Sequence, residues 1–205
     1  MWIKICGMTT AAAVTAALEA GVDAIGFVFA PSVRRLEPTQ AAQLAAPARG
    51  RILCVAVTLH PSQAAIDQIL REFNPDVLQT DLSDIAQLRL PSQLAVLPVV
   101  RAGASLPAAV AGTVPPRLLF EGPRSGTGLA TDWTQAGSLA RRTQLILAGG
   151  LTPHNVAAAI AAVRPFGVDV SSGVESTPGQ KDPRKIVEFI QAARAAFAGV
   201  THEAN

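Results

Sequence analysis

Along the chain, short apolar runs rich in β-branched residues alternate with alanine-rich stretches whose apolar positions recur at helical spacing. The runs predict strands at Trp2–Cys6, Ala24–Phe29, Ile52–Thr58, Asp76–Gln79, Ala95–Arg101, Arg117–Glu121, Gln144–Ala148 and Val168–Ser171. Helices are predicted near 10–20, 38–47, 62–73, 84–90, 106–112, 133–141, 153–163 and 183–197. The repeating unit is strand then helix, and runs such as "AIGFVF" and "RILCVAV" are apolar throughout rather than alternating. Strands of that kind are covered on both faces, which places them in a parallel sheet. Eight such units without a Gly/Ser-rich linker predict an α/β protein, a single-domain (β/α)8 TIM barrel spanning residues 1–205, with the tail after Phe197 frayed. The competing arrangement, an open doubly wound sheet, is disfavoured because the first strand–helix turn, "CGMTT", lacks the dinucleotide-binding glycine pattern.

Composition narrows the function classes. At 205 residues and 49% hydrophobic, the chain can bury a sizeable core. Seventeen basic residues face fifteen acidic ones, and no basic run exceeds a pair, so nothing forms the footprint of a nucleic-acid binder. The N-terminal MWIKICG lacks the apolar stretch of a signal peptide or membrane anchor. Two cysteines are too few for a disulfide framework, and with three scattered histidines they show no zinc spacing, so no metal is expected and a cytoplasmic setting is the default.

In a barrel the active site gathers where the strands stop. Cys6 ends the first strand, directly before Gly7 and a capping Thr9 or Thr10, near a helix N-terminus that favours a thiolate. Either it is a small core residue, as mid-strand Cys54 is read to be, or it points into the barrel as a reactive thiol. Strand six ends "LLFEG"; if Glu121 faces inward, partial desolvation would keep it protonated enough to act as an acid. After strand seven comes "AGGLTPHNV", where Gly149 and Gly150 permit close backbone approach, Thr152 is expected to cap and Pro153 to open the next helix. Ser171, Ser172 and Gly173 follow strand eight, and this pair of loops is where barrels commonly hold a phosphate. "FAPSVRRLEP" after strand two offers Arg34 and Arg35, either a solvated pair or a clamp for a carboxylate or phosphate. His60, His154 and His202 have no partner in sequence that would make them ligands.

Taken in order, "KICGMT", "GFVFAPSVRR", "LILAGGLTPHNV" and "VDVSSGVESTPGQKD" resemble the N-(5′-phosphoribosyl)anthranilate isomerase family of tryptophan biosynthesis, from Lys4 to Asp182. The resemblance implies an Amadori rearrangement of an aminoaldose to an aminoketose, without metal or organic cofactor, on a small sugar-phosphate substrate; the sequence leaves monomer and homodimer both open. It makes Cys6 the general base, Arg34 (or its neighbour Arg35) the partner of the substrate's aromatic carboxylate, and Asp169 an acceptor for a sugar hydroxyl. Two departures stand out. Glu121 occupies the place of the family's usual aspartate acid, and Gln79-Thr80-Asp81-Leu82 replaces the usual Gln-Leu-His-Gly after strand four. The related histidine-pathway isomerase uses aspartate where this chain has Cys6. A catalytically silent sugar-phosphate sensor would need neither the thiol nor the carboxylate.

Overall fold

The structure, a computed structural model, describes residues 1–103, 114–122 and 133–202. Eight parallel strands close into a barrel in chain order. They are β1 (Trp2–Cys6), β2 (Ala24–Val28), β3 (Leu53–Val57), β4 (Val77–Asp81), β5 (Ala95–Arg101), β6 (Arg117–Glu121), β7 (Gln144–Leu147) and β8 (Gly167–Val170). Each lies within two residues of its expected span. Outside them run α1 (Ala11–Glu19), α2 (Pro38–Ala45), α3 (Gln63–Glu72), α4 (Leu82–Ile85), α5 (Trp133–Ala140), α6 (Val156–Val163) and α7 (Pro183–His202). The helix expected near 106–112 lies outside the described residues.

Strand alternation divides the apolar residues into two cores. Outward-facing Ile3, Ile5, Ile25, Phe27, Leu118 and Phe120 are buried beneath the helices, each stabilising the sandwich by about 1.5–3 kcal/mol. Cys54 belongs to this layer, and burial pushes its thiol up to about 11, so it is a packing residue. Inward-facing Trp2, Ala24, Val55, Leu97, Leu119 and Ile146 fill the barrel interior. The polar residues of the same inward rows come higher, toward the strand C-termini.

Local chemistry sets the helix starts. Thr10 caps α1, its hydroxyl accepting from the Ala13 N–H, and Ser62 caps α3 through the Ala65 N–H. Glu37 and Gln40 form a capping box on α2, with Pro38 at its first position. Three expectations are corrected. The helix read at 84–90 is a single turn, α4, because its Asp84 carboxylate is drawn off to His60 and Thr80 and Pro91 follows soon after. Pro153 does not open α6, which starts at Val156; Asn155 organises the turn instead of Thr152, accepting from the Thr152 N–H and donating to the Gly150 carbonyl. The residues after Phe197 continue α7 as far as His202. A short hairpin, β9 (Glu175–Thr177) with β10 (Gln180–Lys181), was read only as loop and proves important to the site.

The barrel closes between β8 and β1, with Gly167 in register with Trp2. A Cβ at Gly167 would stand 2.5 Å from the Trp2 carbonyl oxygen, so this seam depends on a residue without a side chain. Replacing Gly167 by alanine is expected to cost about 1–3 kcal/mol through forced backbone shifts. Urea unfolding would measure it, and unchanged stability would show that the seam has slack.

Candidate active site

The inward rows that carry apolar residues low in the barrel end at the top in Cys6, Gln79, Arg101, Glu121 and Asp169, around a cavity of about 680 Å³. That volume falls within the roughly 300–1,000 Å³ of small-molecule sites. Gly149, Gly150, Ser171 and Ser172 line its β7–β8 side, and Arg34 its β2 side.

Cys6 and Glu121 therefore both face the cavity, as expected for strand-end residues. Three steps around the ring separate their strands, with β7 and β8 between. Burial pushes the Cys6 thiol up, and the neighbouring Lys4 ammonium opposes that shift.

Asp169, in register with Lys4, lies 2.7 Å from the Lys4 ammonium. Burial pushes its carboxyl up, against the pull of that cation. Glu121 stands in register with Arg101, whose guanidinium pairs with it and also with Asp81, at 2.6 Å from Nη2 to Oδ1. Glu121, expected to face inward and be partly desolvated, thus shares a cation with a second acid.

Arg34 is buried at the cavity wall, whereas Arg35 projects to the surface and pairs with Glu37 at 3.1 Å. Arg34 holds Glu175 in a fork, Nε to Oε1 at 2.6 Å and Nη2 to Oε2 at 2.8 Å. Lys181, on β10, donates to Glu175 Oε1 at 2.6 Å and to both the carbonyl and the hydroxyl of Ser171. Burial alone would raise the Glu175 carboxyl, yet the bonds from Arg34 and Lys181 outweigh it and hold it down to about 2.

The β7 and β8 loops meet at Gly173, where a Cβ would fall 1.9 Å from the Leu151 carbonyl oxygen. No larger residue fits there without parting the loops. Gly149 and Gly150 have positive φ, 92° and 68°, a region that favours glycine. Among the described residues, the N–H groups of Gly150, Ser172 and Gly173 have no intramolecular acceptor, which leaves donors on the loops that border the cavity.

Several site residues escaped the sequence reading. Lys4, Gln79, Asp81, Arg101, Glu175 and Lys181 were not singled out for roles. For Lys4 and Arg101 a signal existed: each is a charge on an inward position of an otherwise apolar strand. Glu175 and Lys181 could not be paired with Arg34, since 141 residues separate Arg34 from Glu175. His60, which had no evident partner, donates its Nδ1–H to Asp84 Oδ1 at 2.9 Å, and that carboxylate pushes its imidazole up.

Fold and site together define a barrel enzyme equipped with a thiol, a carboxyl and backbone donors around one cavity. Residues 3–192 match the profile of the N-(5′-phosphoribosyl)anthranilate (PRA) isomerase family. An N-(5′-phosphoribosyl)anthranilate isomerase of Nitrobacter hamburgensis is 40% identical, over 95% of this chain and 93% of that one. A crystal structure of phosphoribosyl anthranilate isomerase in complex with reduced 1-(o-carboxyphenylamino)-1-deoxyribulose 5-phosphate superposes with a TM-score of 0.78, at 29% identity, over 95% of this chain and 99% of that one. A structure of monomers generated from the dimeric enzyme of Thermotoga maritima superposes with a TM-score of 0.80, at 29% identity and the same coverage. The chain belongs to the N-(5′-phosphoribosyl)anthranilate isomerase family.

Glu175 generates a pH prediction. Its folded carboxyl lies below the ordinary 4.5, so its contribution to stability is complete above about 4.5 and is lost as pH falls toward about 2. Glu175→Gln should therefore unfold at lower urea than the parent at pH 7, and the gap should close at the acid end of that window. A gap that persists unchanged at low pH would rule out the ion pairs as its source.

Proposed function

We propose that Cys6 as base and Glu121 as acid carry out the isomerisation of N-(5′-phosphoribosyl)anthranilate that defines this family, the Amadori step of tryptophan biosynthesis. The observation that carries the reading is the convergence of this thiol and this carboxyl on one cavity bordered by the donor-bearing β7 and β8 loops. The substrate's phosphate binds the N–H groups of Gly150, Ser172 and Gly173, with Gly149 and Ser171 shaping the pocket, as anions favour converging backbone donors.

With the phosphate fixed there, the sugar extends across the opening. Glu121 delivers a proton to the furanose oxygen as the C1–O bond breaks, and the anthranilate nitrogen supplies the electron pair that forms the iminium. Cys6, as thiolate, then removes the proton from C2, giving the enolamine. Ketonisation adds a proton at C1 and releases the one on the C2 oxygen, so the product is an isomer of the substrate. Asp169 accepts a bond from a sugar hydroxyl.

Arg101 competes with the proton for Glu121, and Asp81 resolves that competition. When Glu121 takes up a proton, Arg101 keeps a carboxylate partner in Asp81, so protonation does not strand a half-buried cation. On the other side, Arg34 offers the aromatic carboxylate its Nη1, the guanidinium nitrogen outside the fork that holds Glu175. Arg35, on the surface, is not given that role. The residues in these roles require neither metal nor organic cofactor. No helix of the described residues is long and apolar enough to cross a membrane. Its two free thiols fit a reducing cytoplasm, and the dimeric Thermotoga relative supports a homodimer over a monomer as the working assembly.

Fluorescence-monitored turnover of N-(5′-phosphoribosyl)anthranilate tests the assignment. Cys6→Ser is expected to lose at least ~10²-fold in kcat, because a hydroxyl is almost never ionised. Glu121→Gln should lose a similar factor, about 10²-fold, with KM nearly unchanged. A chelator should leave the parent's turnover intact. Parental kcat in both variants would exclude this acid–base pair.

A further inference from the structure

Lys4 has no exposed surface, and it stands two residues before Cys6 on β1, so both side chains point into the barrel. An ammonium that has given up all its water needs compensation from every side. Asp169 supplies part of it at 2.7 Å. The approach is off the line of a good hydrogen bond, however, and neither Lys4 Nζ nor Asp169 Oδ1 has an aligned hydrogen-bond partner. The ammonium therefore retains N–H groups for another acceptor, and the Cys6 sulfur is in contact with it.

Gly26 makes that contact possible. It lies in register with Cys6 on the neighbouring strand, and a Cβ there would fall 3.0 Å from Cys6 Sγ and 3.3 Å from Lys4 Cε. The thiol and the lysine stem share the space that a side chain at 26 would occupy.

The charges around the thiol point the same way. Among the described residues, Lys4 from β1, Lys181 from β10 and Arg34 from the β2 loop are the buried cations at this end of the barrel. Against these three cations stand two buried carboxylates, Asp169 on β8 and Glu175 on β9. One positive charge is left over, and a thiolate at Cys6 balances it.

We infer that Lys4 is a positioning residue for the base: its ammonium orients the Cys6 sulfur and stabilises it as a thiolate, while Asp169 neutralises Lys4 and limits that effect. This rests on the reading of Cys6 as base, but it is tested without turnover. A structural role alone would make Lys4 a space-filling pillar of the barrel; a role toward the base makes Lys4 and Asp169 act on the thiol in opposite directions.

The experiment is the pH dependence of alkylation of Cys6 by iodoacetamide in the full-length protein, with the Cys6 peptide resolved from the Cys54 peptide by mass spectrometry. In Lys4→Met the half-maximal pH should rise by about one unit or more, equivalent to roughly tenfold slower labelling at neutral pH. In Asp169→Asn it should fall below the parent's. If Lys4→Met does not fold, Asp169→Asn decides alone. An unchanged or higher half-maximal pH in Asp169→Asn, or an unchanged one in a folded Lys4→Met, overturns the inference. Loss of turnover in Cys6→Ser together with such a result would reject the role of Lys4 and leave that of Cys6 standing.

Discussion

A lysine ammonium buried inside the barrel is the constraint around which the catalytic end of this protein is organised. Such a charge costs several kcal/mol to desolvate, and the interior must compensate it or expel it. The register of β1 against β8 places Asp169 beside Lys4, and the absence of a side chain at Gly26 opens the space that the sulfur and the lysine stem share. The same need recurs one step further out. Glu175 is held by Arg34 and Lys181, and Lys181 also ties down Ser171, so ion pairs anchor the loop after β8 to the loop after β2.

This arrangement gives the cavity two unlike sides. Around Cys6 the buried charges sum to an excess of cation, which favours anions: a thiolate, and a substrate with a phosphate and a carboxylate. Around Glu121 two acids, Glu121 itself and Asp81, share Arg101. In the proposed mechanism, acid and base thus stand in unlike surroundings, with the β7–β8 loops, in contact at Gly173, between their strands.

The barrel was legible because each of its strands is an uninterrupted apolar run, a pattern that few folds other than a parallel sheet under helices can bury. Cys6 and Glu121 were legible because they sit at strand ends, where the fold itself dictates the direction of the side chain. The choice between Arg34 and Arg35 was not, since adjacent loop residues carry no periodicity; it took the fork onto Glu175, far away in sequence, to draw Arg34 inward. The setting of the thiol was legible only in part, for a related reason. The helix N-terminus is a local feature visible in "CGMTT", whereas burial and the contact with Lys4 come from strand packing. Asn155 was passed over for Thr152 because both residues suit a turn, and only the geometry of the Gly150 carbonyl distinguishes them.

The central claim is that the β7–β8 donors fix one end of the substrate so that its reacting carbon meets Cys6 on one side and its ring oxygen faces Glu121 on the other. A crystal structure of this protein with reduced 1-(o-carboxyphenylamino)-1-deoxyribulose 5-phosphate tests it most directly. The account predicts the phosphate on the N–H groups of Gly150, Ser172 and Gly173, with C2 at about 3.5 Å from Cys6 Sγ, the separation of a reactive approach. A phosphate bound elsewhere, or C2 turned toward Arg101 and away from the thiol, would contradict it.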